Sequence, residues 1–318
     1  MKILVTGANG FIGAELIKIL CNHNFDVGGS IRSIKPLAVP NKNCQYILVG
    51  ELDNTTDWIK ALDGVDVVIH CAGRAHVLRD KTKSPIDIFR MVNVDATLHL
   101  AREAIKCGVR RFIFLSSIGV NGNTNTTPFT ELDTPAPVQD YAFSKLEAEN
   151  GLQEISSSAG MEIVIIRPPL VYGPNAPGNF STLLRWMDKN IPLPFGSVHN
   201  KRSFVGINNL VDLILTCIEH PAAANQVFLV SDGEDMSTTE LLNRVASSLG
   251  KKSNLIPVNQ KLLDFCLKLI GKKDLATQLL GSLQIDISKS QELLNWTPPI
   301  SIDEELRKTA RNFLESQS

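Results

Sequence analysis

Tyr141-Ala-Phe-Ser-Lys145 sets a phenol and an ammonium four residues apart. On a helix such positions share one face, about 5–6 Å apart at Cβ. A cation at that distance favours the phenolate and is expected to lower the tyrosine pKa from its usual value of about 10. A tyrosine tuned in this way exchanges a proton with a sugar or alcohol hydroxyl while a bound nicotinamide exchanges the hydride. Two other stretches supply what that chemistry needs. Gly7-Ala-Asn-Gly10-Phe-Ile-Gly13 directly follows the apolar run Lys2–Thr6, and Ser116-Ser117 ends the apolar run Arg111–Leu115. Each motif arises often by chance on its own. Their order, a glycine turn, a serine after a strand, then Tyr-x-x-x-Lys, makes them one site.

Elements that alternate strand and helix must position these residues. The patterning predicts strands at Lys2–Thr6, Asp26–Ile31, Cys44–Val49, Val65–His70, Arg111–Leu115 and Glu162–Ile166. Helices are expected at Phe11–Cys21, Thr55–Leu62, Pro85–Lys106 and Tyr141–Ser158, with Gly64 and Gly108 as left-handed caps. This is an α/β class with a doubly wound parallel sheet, whose ligand crevice lies beyond the carboxyl ends of its strands. The glycine turn (Gly7, Gly10, Phe11, Ile12, Gly13), Ala72-Gly73, Ser116-Ser117 and Arg167-Pro168 all fall at those ends. Glycines in such a turn let backbone approach phosphate and pack helix against strand.

Beyond Arg167 the texture changes. Pro168, Pro169, Pro174, Pro177, Pro192 and Pro194 punctuate short segments, so loops and small helices are expected. A helix is predicted from Ile207 to His220, a strand over Gln226–Val230, and a helix to Leu249 opened by the capping box Ser237-Thr-Thr-Glu240. The division expected is a dinucleotide-binding domain over 1–170, with 206–232 returning to it. A smaller, mostly helical substrate lobe then comprises 171–205 and 233–318, with the cleft at the lobe boundary.

With 318 residues, 43% hydrophobic, the chain has ample material for a core. A formal charge of −1 and no Lys/Arg-rich run argue against nucleic acid or an anionic membrane as partners. No apolar stretch approaches the roughly 20 residues needed to span a bilayer. The first strand begins at Lys2, so no signal peptide is expected. Cys21, Cys44, Cys71, Cys107, Cys217 and Cys266 form no C-x-x-C pair, which points to a reducing cytoplasm. No metal site is expected, and His70, at a strand end, reads as core.

The chain resembles the extended short-chain dehydrogenase/reductases in their nucleotide-sugar epimerase/dehydratase branch. The motifs that carry the resemblance are the cofactor turn, Asn93-Val-Asp-Ala-Thr97, Phe112-Ile-Phe-Leu-Ser-Ser117 and Tyr141–Lys145. It continues through Arg167-Pro-Pro-Leu-Val-Tyr-Gly173, Gly178-Asn-Phe180 and Arg202-Ser-Phe-Val205, nearly the whole chain. The resemblance implies that Tyr141 is the acid/base and that Lys145 tunes it and holds the nicotinamide ribose. It implies that Ser117 hydrogen-bonds the reacting sugar oxygen, with Ser116 behind it. Asn93 resembles an asparagine near the cofactor, though a helix-surface amide would fit the spacing equally. Pro168 corresponds to a residue flanking the nicotinamide, and Glu51-Leu52 to a pair beside the adenine. Asn179 and Arg202 resemble residues that grip the nucleotide diphosphate, which suits bidentate guanidinium chemistry; Lys201-Arg202 would otherwise be a solvated surface pair. A homodimer through the helices beginning near Pro85 and Tyr141 is a family-level expectation.

Folds that prefer NAD usually end the second strand in Asp or Glu. Here the sequence is Val27-Gly-Gly-Ser-Ile-Arg-Ser33, so Arg32 and Ser33 are expected to receive a 2′-phosphate, favouring NADP(H) with NAD(H) possible. A consumed reductant fits a UDP-4-keto-6-deoxy-N-acetylhexosamine 4-reductase of surface-polysaccharide biosynthesis. The alternatives are a UDP-glucose or UDP-N-acetylglucosamine 4-epimerase and, from another class, a non-catalytic NAD(P)-binding protein. A 4,6-dehydratase is disfavoured, because Ile118-Gly119 rather than Asp-Glu follows Ser117.

Overall fold

Short aliphatic runs, buried on both faces, build the central layer. The computed structural model describes residues 1–33, 44–75 and 85–317, apart from the side chains of Pro85 and Asn179. Its first strands are β1 (Lys2–Thr6), β2 (Asp26–Ile31), β3 (Cys44–Leu48), β4 (Val67–His70), β5 (Arg111–Leu115) and β6 (Glu162–Arg167). Next, β7 (Leu170–Tyr172) and β8 (Arg202–Gly206) leave this sheet, and β9 (Gln226–Leu229) rejoins it beside β6. The sheet order is β3-β2-β1-β4-β5-β6-β9, parallel throughout.

Alternation along each strand splits the core in two. Ile3 and Val5 of β1 join one cluster with Leu16, Ile17 and Leu20 of α1 (Phe11–Asn22) and Leu210 and Ile214 of α7 (Ile207–Glu219). Leu4, between them, faces the opposite cluster. There Leu62 of α2 (Ile59–Leu62), Leu100 of α4 (Ala96–Lys106) and Leu152 of α5 (Asp140–Ala159) cover the sheet, with α3 (Pro85–Arg90) preceding α4. The buried Arg111 guanidinium fastens α7 to the sheet. It donates to the carbonyls of Cys217, Ile218 and His220 at 2.6, 3.1 and 3.0 Å, which the helix end leaves without intrahelical partners.

A third cluster belongs to the later chain. Tyr172, Phe180, Leu184, Phe204, Leu242 and Leu306 come together there. They derive from α6 (Asn179–Asp188), α8 (Thr238–Ser248), α12 (Ile302–Glu315) and a small sheet ordered β10-β8-β7, where β10 is Asp235–Met236. Also in this part lie α9 (Gln260–Leu269), α10 (Lys273–Leu280) and α11 (Ser288–Leu294).

Gly64 and Gly108 adopt the left-handed conformation (φ +65° and +77°), and the Ser237/Glu240 capping box forms. Three expectations need correction. The helix predicted from Thr55 starts only at Ile59, because Asp53 accepts from the Thr55 N–H and hydroxyl, both at 2.7 Å. Such local side-chain bonds compete with helix. The small sheet formed by β7, β8 and β10 replaces an expected stretch of loops, its strands being too short to show alternation. The predicted helix Pro85–Lys106 is interrupted by a π turn at Met91–Asp95.

Candidate active site

The turn after β1 presents only backbone toward β4. Gly7 has φ +68°, and a Cβ there would lie 3.0 Å from the Ala72 backbone. The Gly10 N–H donates to the Gly7 carbonyl at 2.8 Å, and a Cβ on Gly13 would come within 2.2 Å of that oxygen. No larger residue fits at Gly13. Phe11 and Ile12 pack their side chains on the core, and the first amides of α1 point out of its amino end, as in any helix. No side chain caps α1 and its first turn holds no acid, so its amino end is electropositive. These residues fit a dinucleotide whose pyrophosphate meets a helix amino terminus.

His70 closes the floor of this region. Its ring nitrogens lie 2.7 Å from Thr6 Oγ1 and 2.9 Å from Thr97 Oγ1, and Thr6 Oγ1 also accepts from the Ala72 N–H at 3.2 Å. Burial, helped by the charge of Lys145, pushes its pKa down to about 3. It is a neutral core histidine. Among the described residues no cluster of His, Cys, Asp or Glu is arranged to hold a metal.

Lys145 is enclosed by the sheet, with 4% of its surface exposed. Its Nζ donates to the Leu115 carbonyl at 2.9 Å and sits 4.4 Å from the Phe114 ring centre. A Cβ on Gly73 would be 3.4 Å from that Nζ and 3.2 Å from Asn93 Oδ1, so β4, β5 and α5 converge here. Burial lowers the Lys145 pKa to about 8, opposed by its neighbours Cys71 and Glu149. Tyr141 behaves contrary to expectation. Its pKa is raised, to about 12, by burial. Lys145 lies 6.0 Å from the tyrosine ring centre and is committed to the Leu115 carbonyl, so desolvation outweighs the cation. Phe89 packs edge-on against the same ring, centroids 6.2 Å apart.

Asn93 is not a helix-surface amide. It is buried in the π turn, where its Oδ1 accepts from the Arg74 N–H at 2.8 Å. Its Nδ2 donates to the Arg74 carbonyl at 3.1 Å and to Ser144 Oγ at 2.9 Å, and Ser144 Oγ donates to the Tyr141 carbonyl at 2.8 Å. Asn93 therefore ties the segment after β4 to the first turn of α5. The π turn inserts one residue into the helix and swings this side chain inward.

Ser117 follows β5 in extended conformation, and its Oγ accepts from the Gly119 N–H at 3.1 Å. The next N–H, of Ile118, donates to the carbonyl of buried Pro168 at 2.9 Å. A Cβ on Gly119 would be 3.2 Å from Ala142 Cβ, which sets this turn against α5 beside Tyr141. Ser116 points inward and donates to Glu149. Glu149 also pairs with Arg167 (Nη2–Oε2 2.6 Å), whose Nη1 donates to Asn121 Oδ1 at 2.9 Å. Glu149 escaped the sequence reading, although it extends the Tyr141, Lys145 spacing by four more residues.

The other candidates lie apart. Arg32 and Glu51 face each other across the ends of β2 and β3, Nε to Oε1 3.6 Å, both exposed, while Leu52 is partly buried. Arg202 leaves solvent. Its Nη1 donates to the carbonyls of Gly281 and Thr277 at 3.0 and 3.4 Å, and burial lowers its pKa to about 10. Among the described residues no carboxylate pairs with it, whereas its neighbour Lys201 is exposed. Asn179 opens α6, and its side chain lies outside the described residues.

Residues 3–231 match the NAD dependent epimerase/dehydratase family. The chain belongs to that family, an enzyme of the extended short-chain dehydrogenase/reductase class. It is 46% identical to a UDP-glucose 4-epimerase of Vibrio cholerae, over 100% of this chain and 97% of that one. A dTDP-4-dehydro-6-deoxyglucose reductase of Escherichia coli is 23% identical over 98% and 97%. The fold matches a UDP-glucuronic acid 4-epimerase from Bacillus cereus in complex with NAD (TM-score 0.80, 24% identity, 100% of each chain). Enzyme membership sets aside the reading as a non-catalytic binding protein.

Proposed function

We propose that the chain is a nucleotide-sugar 4-epimerase, acting on a UDP-hexose or UDP-N-acetylhexosamine and keeping NAD(H) bound between half-reactions. The observation that carries the choice is the Arg32–Glu51 pair. The sequence reading favoured a reductase because Arg32 was to select a 2′-phosphate. With Glu51 at 3.6 Å, a 2′-phosphate would meet a carboxylate as well as the guanidinium. The preference for NADP(H), and with it the main argument for a 4-reductase, gives way to NAD(H). The 46% identity to a UDP-glucose 4-epimerase supports the same reading.

In this reading Ser117 holds the C4 oxygen and Tyr141 takes its proton, while Lys145 supplies positive charge beneath the phenol. The high resting pKa of Tyr141 means that proton removal leans on that charge. NAD bound at the glycine turn would supply a reversible acceptor for the C4 hydride. Rotation of the keto sugar before the return inverts C4, with no net oxidation. Arg202, half-buried and bonded through its side chain, among the described residues, to carbonyls, suits a substrate diphosphate. Gly73, Asn93 and Pro168 would line the nicotinamide end, and Glu51 and Leu52 the adenosine end.

Incubating the purified protein with UDP-glucose or UDP-N-acetylglucosamine, without added cofactor, tests this by NMR of the C4 proton. The C4 epimer is expected, and denaturation should release NAD(H). Stoichiometric NADPH oxidation with a UDP-4-keto-6-deoxy-N-acetylhexosamine, and no epimer, would restore the 4-reductase.

A further inference from the structure

A soluble helix normally turns its apolar stripe inward. In α9 much of that stripe faces out. Leu263 is buried and Leu267 partly so, yet Leu262, Phe265, Leu269 and Ile270 are 56%, 63%, 75% and 66% exposed. With the exposed Cys266 they sit at i, i+3, i+4, i+7 and i+8, a continuous arc of about 140° at 100° per residue. Ile256, 48% exposed, lies on the approach to the helix. Single exposed leucines need no explanation, but a contiguous apolar face with a polar margin marks an interaction surface.

The margin identifies the occupant. Residues 251–273 contain six lysines (251, 252, 261, 268, 272 and 273) against one acid, Asp264, in a chain of formal charge −1. Asp264 is neutralised locally by Lys268 at 2.5 Å, and Lys251 pairs with Asp188 at 2.6 Å. Asp274 follows in the first turn of α10. Lys272 and Lys273 sit beyond Gly271, at the tip of the α9–α10 hairpin, next to the most exposed apolar pair, Leu269 and Ile270. Lysine stems can lie along an apolar surface while their ammonium groups reach outward. Apolar residues at a helix tip, followed directly by two cations, complement the boundary between acyl chains and anionic headgroups.

We propose that the exposed face of α9, with the Ile270–Lys273 tip, docks the protein on an anionic bilayer surface. The helix lies in the plane of the interface and does not cross it; among the described residues no helix is long and apolar enough to span a membrane. The face is coupled to the interior of the later lobe. Gln260, at the start of α9, donates from Nε2 to the Leu280 carbonyl at 3.0 Å, and the adjoining Gly281 carbonyl holds Arg202. The expectation that no membrane partner exists rested on the absence of a basic run. Here the lysines are interleaved with the apolar residues instead.

Sedimentation of the full-length protein with vesicles of phosphatidylcholine, with and without phosphatidylglycerol, is the test. Binding is expected only when phosphatidylglycerol is present, and should weaken as salt rises. Lys272→Glu with Lys273→Glu should weaken it by at least about fivefold per lysine. Phe265→Ser with Leu269→Ser should weaken it by roughly tenfold or more. Both variants should keep the wild-type melting temperature and sugar turnover, because these side chains point away from the core. Equal binding to pure phosphatidylcholine, or unchanged binding by either variant, would overturn the proposal. So would failure to bind vesicles, whether the protein stays monomeric or forms a dimer in analytical ultracentrifugation that Phe265→Ser with Leu269→Ser dissolves; the dimer would assign the face to a second copy of the chain. Turnover of UDP-sugars is measured separately, so loss of the epimerase reading and loss of the membrane face are distinguishable.

Discussion

The parallel-sheet half and the later lobe place their key side chains by different means. Gly73, Ser117 and Pro168 lie within three residues of the ends of β4, β5 and β6, so the β-ladder that fixes the strand also largely fixes the residue. In the lobe, Arg202 is held by carbonyls 75 and 79 residues further along the chain. Asn200 and Thr238 likewise bond to carbonyls of Leu279 and Gly281. Strand order positions the first set; long-range side-chain bonds position the second. A motif is informative where the backbone does the placing.

Glu149 is the apparent exception in the sheet half, and removing it should have the largest effect. Glu149→Leu strands a buried Arg167 and an inward Ser116, a change that costs on the order of 3–5 kcal/mol. Urea unfolding should show it; a loss below about 1 kcal/mol, the level of an exposed pair such as Arg90–Glu147, would mean that the ladder alone suffices. Tyr141→Phe comes next. It keeps the packing against Phe89 and removes the proposed proton carrier, so turnover should fall about 10²-fold or more, with NAD binding by fluorescence intact. Unchanged turnover would remove the tyrosine from the chemistry.

His70 sharpens the contrast through pH. Its folded pKa, about 3, lies below the unfolded value of about 6.5, so its contribution is complete above pH 6.5 and is lost as pH falls from there toward 3. Between pH 7 and pH 5 this amounts to about 2 kcal/mol. Glu305, buried in the lobe, and half-buried Asp232 at its boundary are shifted upward by desolvation and oppose the trend. The pH slope of wild type minus that of His70→Asn isolates the histidine; identical slopes would show that the ring is not held neutral. The smallest effect belongs to the lobe. Arg202→Ala should raise the KM for UDP-glucose roughly tenfold and leave NAD affinity alone. An unaltered KM would detach Arg202 from the substrate.

Much of the sheet half was legible. Glycine turns, buried aliphatic runs and Tyr-x-x-x-Lys each follow from short-range physics, and the strands fall within a residue or two of expectation. The π turn at Met91–Asp95 was not legible, because an inserted helical residue leaves the apolar spacing on either side intact. The Tyr141 pKa was misread because spacing gives the distance to a cation and says nothing of desolvation. The outward face of α9 was hidden for a related reason. Its stripe is that of any amphipathic helix, and only the packing of α9 on α10 shows which part of it remains uncovered.

The return of β9 to the edge of β6 has a consequence for synthesis. Residues 170–225, including β7, α6, β8 and α7, must emerge from the ribosome before the last strand can be added. Until then the edge of β6, with Ile163 and Ile165 on its flank, stays open to any other extended chain. A fragment ending near residue 170 would carry every glycine-turn and Tyr-x-x-x-Lys residue and still present a raw edge, the kind of chain that accumulates in inclusion bodies.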